Sequence, residues 1–329
     1  MIKHDICIDI LKFFAALLIT NSHCDMLYPE DMKVLASGGA IGDVLFFFCS
    51  GYTLFLGRGG DFFNWYKRRI KRIYPTVFAW AAVASFVFGQ GWSMKHTIMS
   101  GGGWFVSCIM IYYVVLWVVR RYFIEKLLWV FVLTGMLTTV VYSFFGTASW
   151  DPNIYGETRL KWIFYFMFML LGASTGLRKK KIETQEVPVN AAKTIGLLFV
   201  SVTLFYWLCS FKTSASYGWV QLLSLLPLFC VTYLFYQLCN WEPLKRCYES
   251  KVAGTAMRLI SGLCLEIYVV QYTLLHTSLT SMITPLFPLS LLLFFLYVLL
   301  AAYTLRCLAR LFSQTFREGD YDWKAIIRI

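Results

Sequence analysis

Apolar runs close to 20 residues long recur along this chain and restrict what it can fold into. A helical run of about this length spans the hydrocarbon core of a bilayer. Only 15% of the 329 residues are charged and 59% are hydrophobic, whereas soluble domains carry about 25% charged residues. We therefore predict an all-α, polytopic membrane helix bundle. The net charge of +12 then indicates basic loops facing an anionic membrane surface, and it does not indicate nucleic-acid binding.

The apolar segments predict about ten transmembrane helices, near residues 6–23, 40–56, 73–89, 104–119, 127–146, 161–177, 194–211, 219–239, 259–279 and 286–311. One set of alternate loops holds only five of the 30 lysines and arginines, namely Lys33, Lys95, Arg159, Lys161 and Lys212. Apart from Lys12, all the others lie in the opposite set. Basic loops stay in the cytoplasm, so both termini are predicted to be cytoplasmic. We expect one integral-membrane domain over residues 1–329, with no appended soluble domain.

The first apolar segment, IDILKFFAALLITNSH, carries ionisable residues at both ends. Lys12 and His23 are eleven helical steps of about 100° apart, so they face within about 20° of each other, about 16 Å apart along the axis. Asp5 and Asp9 fall near the same face. Ionisable groups inside a membrane are costly and indicate function. The structural alternative has equal weight here: Lys12 extends to one membrane surface and His23 caps the helix at the other.

Small residues interrupt the second segment, GDVLFFFCSGYTLFL, at Ser50 and Gly51. Small residues in membrane helices usually allow close helix packing, and we favour this interpretation. The alternative is that Ser50 lines a polar path. The ten cysteines show no C-x-x-C spacing, and most lie in apolar runs. They are predicted to be packing residues, with neither a disulfide framework nor a metal site.

A dense basic group follows in FFNWYKRRIKRIYP, which we place in a cytoplasmic loop before a third helix that opens at Tyr74-Pro75. A basic loop ordinarily determines topology and contacts lipid headgroups. The sharper hypothesis is a phosphate clamp for an anionic cofactor. Arg69 and Arg72, three residues apart, would share one side of a helix and bind phosphates bidentately.

A second intramembrane charge, Glu266, lies in the ninth segment, SGLCLEIYVVQYTLLH. Glu266 is expected to face the bundle interior or an ionic partner. Gln271 and His276 follow it and extend a polar seam. The tenth segment has no charge before Arg306, so we expect it to be structural.

Five segments, taken in this order, resemble the membrane acyltransferase-3 family, whose members are integral-membrane O-acyltransferases of polysaccharides, lipids and antibiotics. The matching residues are Lys12 and His23; Ser50, Gly51 and Tyr52; Arg68, Arg69 and Arg72 before Tyr74-Pro75; Trp104, Phe105 and Tyr112; and Glu266, Ile267 and Tyr268. Two departures stand out. Many members have a glutamate where this chain has Cys108 and a histidine where it has Gln271, so neither position is transferred as an acid or base. We also expect that the carboxy-terminal esterase-like extension common in the family is absent.

The resemblance implies transfer of an acyl group, usually acetyl, from cytoplasmic acyl-CoA to a hydroxyl of a cell-surface or lipid-linked carbohydrate. His23 would be the general base, and Lys12 would supply positive charge towards the CoA or the developing oxyanion. The expected partners are acetyl-CoA or another acyl-CoA, a carbohydrate or glycolipid acceptor and membrane lipid, without a metal or nucleic acid. The expected location is a bacterial plasma (inner) membrane. Residues implied in donor binding are Arg68, Arg69, Lys71 and Arg72, and those implied in the substrate path or its support are Ser50, Tyr52, Trp104, Glu266 and Tyr268.

Other functions fit the same pattern less well. A transporter or flippase of a glycolipid or small solute would also use buried charges such as Lys12 and Glu266, but it favours repeated broken helices, and the sequence shows no internal repeat. A catalytically inactive subunit of a polysaccharide-synthesis system and a different membrane acyltransferase fold are further alternatives. Direct transfer and an acyl-enzyme carried by Ser50 or His23 are both open.

Overall fold

The computed structural model describes residues 5–57, 59–89, 91, 93–146, 151–181, 189–214, 216–316 and 319–328, and all the regular structure in these ranges is helical. This confirms the all-α prediction. The α-helices are α1 (Ile6–His23), α2 (Gly39–Leu56), α3 (Phe62–Phe88), α4 (Met94–Ser100), α5 (Gly103–Tyr122), α6 (Leu127–Phe145), α7 (Lys161–Lys181), α8 (Ala191–Cys209), α9 (Leu225–Cys239), α10 (Glu242–Glu249), α11 (Ala253–Gly262), α12 (Cys264–Leu275), α13 (Ser278–Ile283), α14 (Leu289–Thr315) and α15 (Trp323–Ile327). Short 3-10 helices cover Asp25–Leu27, Glu30–Leu35, Ile124–Lys126, Ser210–Thr213, Gly218–Ser224 and Thr284–Leu286.

Within the described ranges, seven helical segments are long and apolar enough to cross a membrane, or eight if the bent pair α11 and α12 is one span. The chain is an integral membrane protein. Its outer surface fits a lipid environment: Leu128, Leu133 and Phe144 on α6 are each more than half exposed. The predicted segments 73–89 and 161–177 lie in α3 and α7, which are not among the seven. A count of ten membrane crossings stays a prediction.

The structure corrects the prediction that the basic group lies in a loop. α3 begins at Phe62, so residues 67–72 are helical, and Pro75 lies inside the helix and does not open it. The reason is local. The side chain of Asp61 accepts a hydrogen bond from the backbone N–H of Asn64 and caps the helix, and lysine and arginine are good helix formers.

The predicted ninth helix, 259–279, is also broken. α11 ends at Gly262, and α12 begins at Cys264 after a bend of 77°. Glycine is a poor helix former, and in the structure the Gly262 carbonyl oxygen accepts a hydrogen bond from Arg306 at 2.5 Å. The Arg306 side chain therefore satisfies the Gly262 carbonyl group, which the break leaves without a partner in the helix.

The chain divides into two compact units. The first unit comprises Met1–Ala15, Ala40–Arg58 and Val115–Met257, and the second comprises Ala16–Gly39, Gly59–Val114 and Arg258–Ile329. In the first unit, α6 packs on α7 and α8 packs on α9. In the second, α3, α12 and α14 pack against one another in pairs. Phe78 of α3 and Phe312 of α14 are 5.8 Å apart between ring centroids.

Two glycines bring α2 and α7 into backbone contact in the first unit. A Cβ on Gly51 would lie 1.8 Å from the carbonyl oxygen of Met169. A Cβ on Gly172 would lie 2.0 Å from the carbonyl oxygen of Phe48. No side chain fits at either distance, so the packing interpretation of Gly51 is confirmed.

Candidate functional site

The basic residues of α3 differ in their exposure because they point to different sides of the helix. Arg68, Lys71 and Arg72 are exposed on α3, whereas Arg69 is half-buried. Nη2 of Arg68 donates a hydrogen bond to the carbonyl oxygen of Gly59 at 2.9 Å. The four candidate donor-binding residues therefore have different surroundings, although their charges are alike.

Arg69 lies against two aromatic rings of the second unit. Its guanidinium carbon is 5.0 Å from the ring centroid of Trp65, one helical turn earlier on α3. It is 5.9 Å from the ring centroid of Tyr113 on α5. The two rings meet edge to face, with centroids 6.1 Å apart, and Trp65 is fully buried. We call Trp65 and Tyr113 the aromatic seat of Arg69. The i, i+4 spacing of Trp65 and Arg69 is visible in the sequence, but Tyr113 becomes a neighbour only through tertiary packing.

His23 ends α1 and lies in the second unit. Its imidazole meets the ring of Tyr272 edge to face, with centroids 6.5 Å apart. Close to it along α1, Thr20 Oγ1 donates to Oε1 of the buried Gln271 at 2.9 Å. Gln271 thus connects α12 to the helix end that carries His23. The Gln271 amide therefore fills a structural role.

Glu266 is almost completely buried and bound on both carboxylate oxygens. Nε and Nη2 of Arg306 donate to Oε1 and Oε2 at 2.7 and 2.6 Å. Thr76 Oγ1 donates to Oε1 at 2.9 Å. The expectation that Glu266 faces an ionic partner is met, and the partner is a residue that sequence reasoning assigned to a structural helix. The signal was available: Glu266 and Arg306 are opposite charges inside two apolar segments, and such charges usually pair.

Trp104 and Tyr268 are joined through Phe105. The hydroxyl of Tyr268 accepts a hydrogen bond from the backbone N–H of Phe105 at 3.3 Å, and the two rings are 5.3 Å apart between centroids. Trp104 packs edge to face on Phe105 at 5.9 Å. Gly103, with φ of +69°, is the first residue of α5, and a Cβ added there would lie 3.1 Å from the Tyr268 hydroxyl oxygen. The first turn of α5 is therefore held by a side chain of α12.

Lys12, Ser50 and Tyr52 belong to the first unit. Lys12 Nζ lies 3.4 Å from Oδ1 of Asp9, and Ser50 is half-buried beside Gly51 on α2. Tyr52 donates its hydroxyl to Oδ2 of Asp5 at 2.6 Å.

Asp5, just before α1, accepts hydrogen bonds from two side chains, Tyr52 and Lys179. Lys179 Nζ donates to Oδ2 of Asp5 at 2.8 Å. Burial opposes ionisation of the Asp5 carboxyl, but the hydrogen bonds from Lys179 and Tyr52 outweigh burial and hold its pKa below the usual value. Asp5 was noted in the sequence only for its helical face, and its anchoring of Tyr52 was not predicted.

The Glu266–Arg306 pair leads to a prediction about stability. Arg306→Met is expected to destabilise the protein by about 3–5 kcal/mol, because it leaves a buried carboxylate without its cation. Glu266→Met combined with Arg306→Met is expected to recover most of that loss, since neither charge is then buried alone. Thermal unfolding in detergent measures both effects. A double variant that is less stable than Arg306→Met would contradict the pairing.

The candidate residues thus fall into two sets. The second unit contains His23, Arg68, Arg69, Lys71, Arg72, Trp104, Glu266 and Tyr268, and the first unit contains Lys12, Ser50 and Tyr52. Among the residues that the structure describes, no group of three or more His, Cys, Asp or Glu side chains is arranged to hold a metal ion.

Comparison with known proteins gives one match. A family model described as an acyltransferase domain covers residues 5–307, a range that includes every residue of both sets and Arg306. No curated protein and no solved structure matches the chain. The match therefore rests on the family pattern as a whole.

Proposed function

The chain belongs to the acyltransferase-3 family, and from this premise we propose that it is a membrane O-acyltransferase with acyl-CoA as donor. The acyl group, acetyl in the first instance, moves from the cytoplasmic side to a hydroxyl of a cell-surface or lipid-linked carbohydrate. The protein lies in a bacterial plasma membrane with both termini in the cytoplasm. The family supports acyl transfer in general, and the donor, acceptor and location are the proposed part.

The proposal that acyl-CoA is the donor rests mainly on the packing of Arg69 against its aromatic seat. Arg69 is half-buried against Trp65 and Tyr113, whereas an arginine that serves only topology or lipid contact needs no such seat. Arg68, Lys71 and Arg72 are exposed beside it on the same helix. Four cations within five helical positions attract an anionic ligand, and a planar guanidinium binds phosphate through two parallel hydrogen bonds. Acyl-CoA supplies such phosphates.

His23 is the proposed general base. As the acceptor hydroxyl attacks the thioester carbonyl, the imidazole takes the hydroxyl proton, and a C–O bond forms. The C–S bond then breaks, and the CoA sulfur leaves as the thiol after receiving a proton from the imidazolium. Histidine suits this exchange because its ordinary pKa is near neutral. His23 shares the second unit with the seated arginine, which supports assigning both to one reaction.

Lys12 is the second proposed catalytic residue, through its positive charge towards the CoA or the developing oxyanion. It occupies the same helix as His23, eleven residues earlier. Its Nζ lies 3.4 Å from Oδ1 of Asp9. Ser50 and Tyr52 remain supporting residues in this proposal.

Glu266, Tyr268 and Trp104 act as support in this proposal. Both oxygens of Glu266 already accept hydrogen bonds from Arg306 and Thr76, so the carboxylate has little capacity left for proton transfer. Tyr268 holds the backbone at Phe105, next to Trp104. These contacts join α12 to α3, α5 and α14, and the donor-binding residues lie on α3.

One observation favours the alternative of a transporter or flippase. The break between α11 and α12 resembles the discontinuous helices that line transport sites. Such breaks normally occur in pairs, in two related halves, and only one bent pair is found among the described residues. Family membership and the seated arginine favour the acyltransferase.

The test of function compares O-acetyl esters on cell-surface and lipid-linked glycans from wild-type cells and from a deletion strain. We expect one alkali-labile acetyl signal to disappear in the deletion and to return on complementation. An unchanged acetyl profile, with accumulation or altered export of a glycolipid, would instead support the transporter.

The donor assignment has its own prediction. Arg69→Gln together with Arg72→Gln should weaken CoA binding about 10- to 100-fold, because two charge-assisted hydrogen bonds to phosphate are lost. Isothermal titration of the detergent-solubilised protein with CoA measures this. Lys193→Gln, which removes an exposed cation from the first turn of α8, is the matched control and should bind CoA as the wild type does. Unchanged CoA affinity in the double variant would remove the phosphate clamp.

A further inference from the structure

The aromatic seat distinguishes one arginine from the other three basic residues. Lys71 and Arg72 are exposed, and Arg68 donates to the Gly59 carbonyl oxygen. The guanidinium carbon of Arg69 lies 5.0 and 5.9 Å from the ring centroids of Trp65 and Tyr113. Attraction between a cation and an aromatic face is effective at these distances and grows when water is excluded.

The seat is rigid because its rings are buried. Trp65 is 0% exposed and Tyr113 is 8% exposed, and the two rings pack edge to face. Trp65 and Arg69 lie on one helix, whereas Tyr113 comes from another. Tyr113 therefore fixes the guanidinium from a second direction. A long arginine side chain otherwise has many rotamers, and ordering it on ligand binding costs affinity.

We infer that Trp65 and Tyr113 are positioning residues for the donor: they hold the Arg69 guanidinium ready for a phosphate of acyl-CoA, and they act on donor affinity only through Arg69. This inference rests on the proposed function, because it needs an anionic donor. It adds two residues that do not belong to the basic group, and it makes Arg69 the main phosphate ligand among the four.

The buried indole N–H of Trp65 makes the substitution series informative. No residue in the described part of the chain accepts a hydrogen bond from Trp65 Nε1. Trp65→Phe therefore keeps an aromatic face under Arg69, and removing a buried donor that has no acceptor offsets part of the cost of the smaller ring in the core. Trp65→Leu removes the aromatic face. Tyr113→Phe and Tyr113→Leu make the same comparison from the second helix.

The experiment measures the dissociation constants of CoA and of pantetheine, which lacks the phosphates, for the full chain in detergent. Trp65→Leu and Tyr113→Leu should each weaken CoA binding about 2- to 30-fold and leave pantetheine binding unchanged. The two phenylalanine variants should recover most of the lost CoA affinity. Phe78→Leu is the control and should bind CoA normally. It removes a different aromatic contact of α3, the one between Phe78 and Phe312 of α14.

A double-mutant cycle separates positioning from general support of the fold. In the Arg69→Gln background, adding Trp65→Leu should cause no further loss of CoA affinity, because the residue through which the ring acts is already absent. Additive losses, or equal losses for CoA and pantetheine, would overturn the inference. If the leucine variants do not fold, the same cycle is measured with Trp65→Phe and Tyr113→Phe. The inference then requires that the small loss of CoA affinity in these variants disappears in the Arg69→Gln background.

The outcomes also separate this inference from the proposed function. Wild-type protein that binds no CoA would overturn the donor assignment and the aromatic seat together. Protein that binds CoA through Arg69, but with additive effects of Trp65 and Tyr113, would overturn only the seat.

Discussion

His23→Ala is expected to lower acyl transfer about 10²- to 10⁴-fold while CoA binding stays at the wild-type level. The variant loses the group that takes the proton from the acceptor hydroxyl, but every proposed phosphate ligand remains. The measurement is the alkali-labile acetyl content of surface and lipid-linked glycans in a deletion strain that expresses the variant. CoA affinity of the purified variant is measured beside it.

His276→Ala is the matched control. This histidine also lies in the second unit, directly after α12, and its Nδ1 is 2.8 Å from the carbonyl oxygen of Tyr272. Its loss should leave acetylation unchanged. Full acetylation with His23→Ala would exclude His23 as the base, and a parallel loss of CoA binding would show that His23 acts on the donor.

Gly51→Ala and Gly172→Ala are expected to prevent normal folding of the first unit. In each variant the new methyl group would lie about 2 Å from a backbone carbonyl oxygen on the facing helix. A backbone atom cannot move aside as a side chain can, so α2 and α7 must separate and lose packing along their whole contact. We expect each variant to lose several kcal/mol of stability, beyond the range of about 1–3 kcal/mol typical of overpacked cores.

Fluorescence-detected size exclusion after heating measures this loss, and Gly196→Ala is the control. Gly196 lies on α8, and apart from its own helical turn no atom in the described part of the chain lies within 4 Å of its added Cβ. Alanine is also the better helix former, so this variant should be as stable as the wild type or slightly more so. Equal melting temperatures for all three variants would mean that α2 and α7 do not approach as closely as the structure shows.

Local patterns in the sequence predicted much of the fold. Helices α1, α2, α5 and α6 begin and end within a few residues of the predicted segments, because unbroken apolar runs of this length have one stable form in lipid. The errors were at mixed segments. The basic residues before Pro75 were assigned to a loop, although a capped run of lysines and arginines is itself a good helix. The break at Gly262 was missed because the surrounding residues are apolar on both sides.

The candidate site was predicted less completely than the fold, because the sequence does not show which distant residues are in contact. Glu266 was identified as needing a partner, but the sequence does not say which of the chain's cations is near, and Arg306 lies 40 positions away. Arg69 and Arg72 were treated as equivalent because their spacing is helical. They differ because Arg69 packs on Trp65 and Tyr113, and only tertiary packing brings Tyr113 to Arg69.

The sequence by itself therefore determined the membrane class, the helical segments and the family pattern of Lys12, His23, the basic group and Glu266. These follow from residue type and short-range spacing, since hydropathy and helical periodicity act within one segment. The tertiary structure decided which arginine is seated between rings, which cation pairs with Glu266, and which glycines let two helices touch. Such pairings form between segments far apart in the chain, and their energies depend on distances that only the packed helices set.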